Sequence, residues 1–414
     1  MKKLTRREFL KVGGLTLLAT GVGGVLLKEW LNRSGAIALA SATASSSGGH
    51  ALVVVQLSGG NDGLNTVIPY TQGWYYDARP TIAIKQADVL PLTQDLGLHP
   101  NMQDLQRLYQ AGHVAIIQGV GYPNPILSHF QSMAVWHTGD PTVHTQTGWI
   151  GRYLDITSTG KDNPLRAINI GTTTPLAMVS QHSDVPSVAR PSTYRLAAER
   201  SHWWDPAFTS AARAMYAAQV NDMASYAREQ GQKMFLGLQE VEQYAGKMKT
   251  ASGYPATALG AQLQVVAELI GAGVPTQVFY TQMGGFDDHA GEESHHGTTL
   301  GDFSASVGAF IRDLENRGLA DRATVLAFSE FGRRIRENGS GGTDHGEAGP
   351  VFLVGHRVKG GLYGESPTIR HTHDGDLAYA VDFRSVYATV LEAVLQVPAK
   401  DVLGANYERI ACFT

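Results

Sequence analysis

Two glycine-containing stretches place aspartates and histidines side by side, a combination that can bind metal ions. The first, "GGTDHGEAGP" at residues 341–350, contains Asp344 and His345. The second, "GGFDDHAGEESHH", holds five aspartate and histidine side chains within ten residues: Asp287, Asp288, His289, His295 and His296. Carboxylate and imidazole together suit zinc, manganese or iron, although a loop of solvated charges is the simpler alternative. We expect a glycine-rich loop that lets Asp344 and His345 turn toward one centre.

A third polar stretch, "SGGNDGLNT", follows the apolar residues 51–57 and contains Asn61 and Asp62. Its glycines are also typical of an ordinary turn. Three predicted strand ends therefore each supply a carboxylate, and two of them add a histidine. A one- or two-metal hydrolytic site needs such a set, because the metals bind substrate oxygens, offset developing charge and activate a hydroxyl or water.

Ser128 is the candidate nucleophile for such a site. It follows the turn-forming "GYPNP" and begins the helical pattern "HFQSMAVWHTG". The N-terminus of a helix favours an alkoxide or a bound oxyanion. Serine is also a preferred N-cap residue, so Ser128 could serve only as a cap.

The apolar pattern predicts a scaffold that would bring these residues together. Six short and mostly unalternating apolar runs are typical of strands buried on both faces: 51–57, 114–120, 165–171, 275–283, 323–330 and 350–355. Five segments have helical periodicity: 102–112, 129–139, 258–273, 300–318 and 382–395. This alternation predicts an α/β fold with a mainly parallel sheet, in which ligands gather at the carboxyl ends of the strands. A helical insertion is predicted at about 206–250.

The N-terminal residues have the features of an export signal. "TRREFLK" at residues 5–11 is basic and precedes sixteen uncharged residues, 12–27. The paired Arg6 and Arg7 predict a twin-arginine signal that is recognised by its translocase. We therefore expect residues 1–44 to be the signal and cleavage region, the protein to be periplasmic or secreted, and no stable membrane anchor. An uncleaved N-terminus that anchors the chain in the membrane is the alternative.

Composition limits the partners and the metal ligands. With 43% hydrophobic residues, 17% charged residues and a net charge of −4, the chain gives no reason to expect a nucleic-acid partner. The single cysteine, Cys412, excludes an internal disulfide, and also a cysteine-rich zinc site or an iron–sulfur cluster held by this chain alone. Metal ligands must then come from the 15 histidines and the carboxylates. We expect residues 45–414 to form one large domain.

Several motifs together resemble the exported bacterial family catalogued as domain of unknown function 1501. They are "TRREFLK", "LSGGNDGLNTVIPY", "LSHFQSMAVWHTG" with "GWIGRYLD", "GGFDDH", "SEFGRRIRENGSGGTDHG", "VKGGLYGESP" and "DFRSVYATVL". The resemblance runs from the signal to about residue 395. That family is grouped by similarity with the alkaline phosphatase and sulfatase superfamily. The resemblance therefore implies a three-layer α/β/α sandwich and, usually, two divalent metals.

The resemblance also implies roles for single residues. Asp62 resembles the first aspartate of the superfamily, which binds one metal. Ser128 is similar in placement to the nucleophile at a helix start. Asp344 and His345 resemble an adjacent Asp–His pair that is divided between the two metals.

The remaining ligands match that pattern less regularly. Asp287 and His289 resemble the Asp and His of the other metal site, but they are two residues apart where the superfamily commonly has four. Asp288 and His296 are alternatives for that pair. Candidates for one further histidine are His371 and His373, with His356 a weaker one. A single-metal or metal-free form is therefore open.

Together these features predict an exported, metal-dependent hydrolase of phosphate or sulfate esters. The expected substrate is a small anionic ester, and the expected cofactor is one or two divalent ions of zinc, manganese or calcium. A non-catalytic periplasmic binding or envelope protein that keeps the fold is the first alternative. A metal-free serine hydrolase is the second, although the chain has no Gly-x-Ser-x-Gly motif around Ser128.

Overall fold

A computed structural model describes residues 49–159, 163–188, 244, 247–249, 252–369, 372–373 and 375–414. The described strands are β1 Ala51–Leu57, β2 Val67–Ile68, β3 Leu90–Pro91, β4 Gly97–Leu98, β5 Val114–Gly121, β6 Ala167–Asn169, β7 Val278–Met283, β8 Ala323–Ser329, β9 Arg333–Glu337, β10 Thr343–His345, β11 Gly349–Val354, β12 Gly361–Gly364, β13 Thr372–His373, β14 Asp376–Leu377 and β15 Val381–Asp382. The described helices are α1 Gly63–Thr66, α2 Gly73–Ala78, α3 Gln103–Gln110, α4 His129–Thr138, α5 Trp149–Ile156, α6 Ala258–Gly271, α7 Glu292–Asn316, α8 Phe383–Ala393 and α9 Ala399–Leu403. Short 3₁₀ turns lie at Pro164–Arg166, Leu176–Met178 and Ala320–Arg322.

Eight of these strands form one central sheet in the order β12-β5-β11-β8-β1-β7-β6, with β15 paired to the end of β5. β1 runs parallel to both β7 and β8, and β6 continues the parallel pairing beyond β7. β12 and β15 are parallel to β5. β11 is antiparallel to both of its neighbours, β5 and β8. The predicted mainly parallel sheet is therefore confirmed, with one reversed strand in its interior.

Helices cover both faces of this sheet. All seven residues of β1 are buried, and its side chains alternate between two hydrophobic clusters. Val53 and Val55 pack in the cluster that includes α3, α6 and α7. Leu52 and Val54 pack in the cluster that includes α4, α5, α8 and α9. The α/β/α layers implied by the resemblance are thus present, and the unalternating apolar strands follow from burial on both faces.

Two predicted boundaries are wrong in ways that move candidate ligands. The helix predicted at 300–318 begins at Glu292, so His295 and His296 lie on α7 rather than in a loop. Asp344 and His345 lie on β10, which pairs antiparallel with β9, rather than in a glycine-rich loop. Thr343 is buried and Asp344 exposed, as strand alternation requires.

Other predicted segments lie outside the described residues. The predicted signal at 1–44 and most of the helical insertion at about 206–250 belong to this group. Within the described part of the chain, no helix is both long enough and apolar enough to cross a membrane.

Candidate metal centre

Three ligand atoms from separate parts of the chain meet beyond the carboxyl ends of the parallel strands. Asp287 lies in the segment that follows β7, His345 ends β10, and His129 is the first residue of α4. One nitrogen or oxygen atom from each residue lies within 4.8 Å of the other two. We call His129, Asp287 and His345, together with the neighbouring His289, the metal centre.

The Nε2 atoms of the three histidines all face the carboxylate of Asp287. The distances are 3.4 Å from His129 to Oδ2, 3.1 Å from His289 to Oδ1 and 3.3 Å from His345 to Oδ1. Ligand atoms at about 2.0 Å from a tetrahedral zinc ion lie about 3.3 Å from one another. The separations of His129 and His345 from Asp287 therefore suit ligands that share one cation.

The opposite nitrogen of each ring faces an acceptor. Nδ1 of His129 lies 2.8 Å from Oε1 of Glu330, and Nδ1 of His345 lies 2.8 Å from the carbonyl oxygen of Leu127. Nδ1 of His289 lies 3.4 Å from Oδ1 of Asp344. With the ring proton on Nδ1, the lone pair of each Nε2 points inward, as in most histidines that bind metals.

The Nε2 atom of His129 is the best indication that a ligand is bound here. It is shielded from solvent and has no hydrogen-bond partner. A buried polar atom without a partner costs free energy, so native proteins rarely leave one unexplained. A cation between His129, Asp287 and His345 would give this nitrogen its partner.

Glu330 holds His129 in place from behind. Its carboxylate is almost fully buried and also accepts hydrogen bonds from the backbone N–H of Gly59, at 2.9 and 3.2 Å. Gly59 has φ +125°, and a Cβ atom there would lie 2.5 Å from the backbone nitrogen of Asp287. Only glycine therefore allows the loop after β1 to approach both Glu330 and Asp287.

Arg333 joins the loops around the metal centre. Its buried guanidinium donates to the carbonyl oxygens of Gly60 and Thr343, both at 2.7 Å, and to Oδ1 of Asp287 at 2.7 Å. Burial alone would raise the pKa of Asp287, but the contributions that lower it, led by the hydrogen bond from Arg333, outweigh burial. Because its N–H groups are used in this way, Arg333 is a structural residue rather than a substrate ligand.

The environment keeps the ligands in the forms that metals bind. Burial lowers the pKa of His345, so its ring is neutral at neutral pH. Asp287 is ionised there, since its pKa lies below the usual value. The side chains of Asp287 and His289 are 50% and 46% exposed, so a substrate can reach this centre from solvent.

The structure brings together four of the five metal ligands predicted from the sequence: Asp287, His289, Asp344 and His345. The expected geometry of the adjacent pair is corrected, because the ring of His289 lies between Asp344 and His345. It contacts Asp344 through Nδ1 and His345 through Nε2, at 3.4 and 2.9 Å. Asp344 therefore orients a histidine and does not face the same centre as His345.

Asp62, the fifth predicted ligand, belongs to a separate buried group. Both of its oxygens accept hydrogen bonds from the guanidinium of Arg79, and Oδ1 also caps α1 through the N–H of Leu64. Glu292 lies next to this ion pair and accepts from Asn65 at 2.8 Å. We call Asp62, Asn65, Arg79 and Glu292 the closed cluster. The carboxylate of Asp62 has no free oxygen for a metal here, which corrects its predicted role.

The additional candidate ligands also lie elsewhere. Asp288 and His296 are buried and face each other, with Oδ2 and Nδ1 separated by 3.5 Å. His373 is exposed and contacts Glu347 at 2.5 Å. His371 lies outside the described residues.

Ser128 is exposed and immediately precedes His129. It is the N-cap residue of α4, but its side chain makes no capping hydrogen bond. The side chain of Ser128 therefore does not cap α4 in this structure, and its role as nucleophile stays a prediction.

His129 is the functional residue that sequence reasoning missed. It was available in "LSHFQSMAVW", at the end of the segment that follows β5. Residues that follow parallel strands meet at one edge of the sheet. This rule applies to His129 as it does to Asp287. Glu330, which orients His129, directly follows β8 and could be found in the same way.

Comparison with family models identifies one family over most of the chain. The family described as "Protein of unknown function (DUF1501)" matches residues 50–406. No curated protein matches the chain.

Solved structures match at low identity. A sulfatase from Pseudoalteromonas sp. is 12% identical, with 94% of this chain and 74% of that one covered and a TM-score of 0.39. The lipoteichoic acid synthase LtaP from Listeria monocytogenes is 11% identical, with 87% and 78% covered and a TM-score of 0.36. An alkaline phosphatase from the Antarctic bacterium TAB5 is 11% identical, with 75% and 94% covered and a TM-score of 0.30. Similarity of this extent carries no information about the reaction of this chain.

Proposed function

The chain belongs to the DUF1501 family, and we propose that it is a metal-dependent hydrolase of phosphate or sulfate esters. The unpartnered Nε2 of His129, facing Asp287 and His345, is the observation that supports a bound cation. The exposed side chains of Asp287 and His289 support catalysis over a purely structural metal, because a substrate can reach them from solvent. The proposed substrate is a small anionic ester.

His129, Asp287 and His345 are the proposed ligands of one divalent ion. Two imidazoles and a carboxylate suit zinc or manganese better than calcium, which prefers oxygen ligands. The described residues offer a single group of this kind, so one ion is proposed rather than two. When bound, such an ion polarises the ester and offsets the negative charge that develops on its oxygens.

Two side chains of the protein then act on the ester: one accepts and returns the proton, and the other forms the covalent bond. The Oγ of Ser128 loses its proton to Nε2 of His289 and attacks phosphorus or sulfur, and the alcohol leaves with that proton. A water molecule next hydrolyses the ester on Ser128 and restores its hydroxyl. Asp344 holds His289 through Nδ1 during both steps, as a general base requires.

Metal content and activity test this proposal together. Protein purified after native export is analysed for metals and assayed on panels of aryl phosphates and aryl sulfates. We expect about one zinc or manganese per chain, and His129→Ala should lose it along with activity. His289→Ala should keep the metal but lose turnover, about 10²-fold or more.

His144→Ala is the matched control, because His144 is exposed and lies outside the metal centre. Absence of metal from the wild-type protein would overturn the proposed site. Bound metal with no turnover on either panel would favour the non-catalytic binding protein. Ester hydrolysis that survives chelation but not Ser128→Ala would point to a metal-free serine hydrolase.

We also propose that the chain is exported folded to the periplasm by the twin-arginine translocase. The proposal rests on the paired Arg6 and Arg7, which are typical of a twin-arginine signal. Replacing both with lysine should leave the protein in the cytoplasm, as measured by cell fractionation. Normal periplasmic yield of the double variant would contradict it.

A further inference from the structure

The segment that supplies His129 also exposes two large apolar side chains. Phe130 is 91% exposed and Leu127 is 36% exposed. They flank Ser128 and His129 in the chain. We call Leu127 and Phe130 the apolar rim.

Helix geometry explains why Phe130 faces away from the core. The buried residues of α4 include Ser132, Val135 and Trp136. Phe130 precedes Ser132 by two residues, which places its side chain about 160° around the helix from that of Ser132. Burial of His129 against Glu330 fixes this orientation, so Phe130 cannot turn inward without moving a metal ligand.

The apolar rim contacts the metal centre through the backbone of Leu127. The carbonyl oxygen of Leu127 accepts the hydrogen bond from Nδ1 of His345 at 2.8 Å. Phe331 packs beneath the same histidines, with its ring centroid 5.0 Å from that of His129 and 4.5 Å from that of His345. One side of the centre is therefore apolar.

The other side of the metal centre is polar. Asp344 is exposed and accepts a hydrogen bond from Asn338 at 3.2 Å. Ligand sites commonly combine apolar walls with a few polar groups that fix orientation. The proposed cation offers a place for the anionic group of a ligand, and the neighbouring apolar side chains offer a place for an apolar group.

We propose that the ester bound at the metal centre carries an aromatic or aliphatic group that packs on the apolar rim. This inference rests on the proposed function and specifies its substrate class. Phe130 is then a specificity-determining residue: it contacts the apolar group and leaves binding of the anionic group unchanged.

Binding of stable substrate analogues tests the inference without turnover. Calorimetry on zinc-loaded protein compares phenylphosphonate with methylphosphonate, and benzenesulfonate with methanesulfonate. The wild-type protein should bind the phenyl member of at least one pair about tenfold more tightly. Phe130→Ala should remove most of that preference and change binding of the methyl member less than about twofold. Phe130→Leu should keep part of the preference.

Ile156→Ala is the control, since Ile156 is an exposed apolar residue at the end of α5. It should leave every affinity unchanged. A phenyl preference that persists in Phe130→Ala, or is absent from the wild-type protein while the methyl analogue binds, would overturn the inference and leave the proposed function standing. Failure of all four analogues to bind zinc-loaded wild-type protein would overturn both.

Discussion

The metal centre and the closed cluster each contain an aspartate paired with an arginine, and they differ in how their polar atoms are satisfied. In the closed cluster, Asp62 and Arg79 are fully buried and each uses its polar atoms on the other or on backbone groups. In the metal centre, the side chains are partly exposed, and Nε2 of His129 has no hydrogen-bond partner. Asp62 and Asp287 each bind an arginine, yet only Asp287 also faces three imidazoles.

This difference separates a group that has no atom left for a ligand from one that can accept a ligand. A buried ion pair with complete hydrogen bonding already holds its charges and has no atom left for a ligand. Imidazoles that turn their Nε2 atoms toward one carboxylate can share a cation with it. Hydrogen-bond completeness therefore distinguishes the surroundings of Asp62 from those of Asp287, although both aspartates pair with an arginine.

The largest expected effect is on stability in the closed cluster. Arg79→Met leaves the carboxylate of Asp62 buried without its partner, which typically costs about 3–5 kcal/mol. Denaturant unfolding of the variant and the wild-type protein measures this loss. Arg107→Met, in an ion pair whose arginine is 65% exposed, should cost less than about 1 kcal/mol.

Asp287→Asn is the corresponding change in the metal centre. It should change the free energy of unfolding of the metal-free protein by less than about 1 kcal/mol, because Asp287 is half exposed. Equal losses in Arg79→Met and Asp287→Asn would show that the two clusters do not differ as described.

The second effect concerns metal affinity. Glu330→Gln weakens the acceptor behind His129, and such changes typically reduce metal affinity about 10–100-fold. Competition with a chromophoric chelator measures the affinity. Glu315→Gln is the matched control, because Glu315 contacts His356 at 2.7 Å away from the metal centre. An unchanged metal affinity in Glu330→Gln would show that Glu330 does not support metal binding through His129.

The smallest effect is a pH dependence of stability in the closed cluster. Burial, followed by the charge of Asp62, raises the pKa of Glu292 from its usual 4.5 to about 9. The folded state therefore binds this proton more tightly than the unfolded state does. Its stabilising contribution is complete below about pH 4.5 and is lost as the pH rises toward 9.

Glu292→Gln should remove this dependence, because an amide cannot ionise. Between pH 7 and 8 the wild-type protein should lose about 1 kcal/mol more stability than the variant. Urea unfolding of both proteins at the two pH values measures the difference. Parallel losses in the two proteins would show that Glu292 is already ionised at pH 7.

The sheet could be predicted because its signals are local. The run at residues 51–57 is apolar at nearly every position, and only burial on both faces explains that pattern. The reversed direction of β11 could not be predicted, since it depends on the path between strands rather than on residues 350–355 themselves. The start of α7 was also missed, because the glutamates and histidines at 292–296 show no apolar period.

The metal centre was predictable in part for the same reason. Asp287, His289 and His345 lie in dense polar stretches that stand out in the sequence. His129 lies alone in an apolar segment, and its role depends on a contact with Glu330, 201 residues away in the chain. The error for Asp62 is the opposite, since it was predicted to bind a metal and instead pairs with Arg79. Nothing in the sequence around Arg79 indicates that ion pair.

The reversed direction of β11 also bears on how this protein could diversify. β8 ends and β11 begins at the same edge of the sheet, since the two strands are antiparallel neighbours. Residues 330–348 therefore leave and return to that edge without crossing the sheet, and they include Glu330, Asp344 and His345. A change in the length of this segment therefore does not by itself require the strands that flank it to change their register.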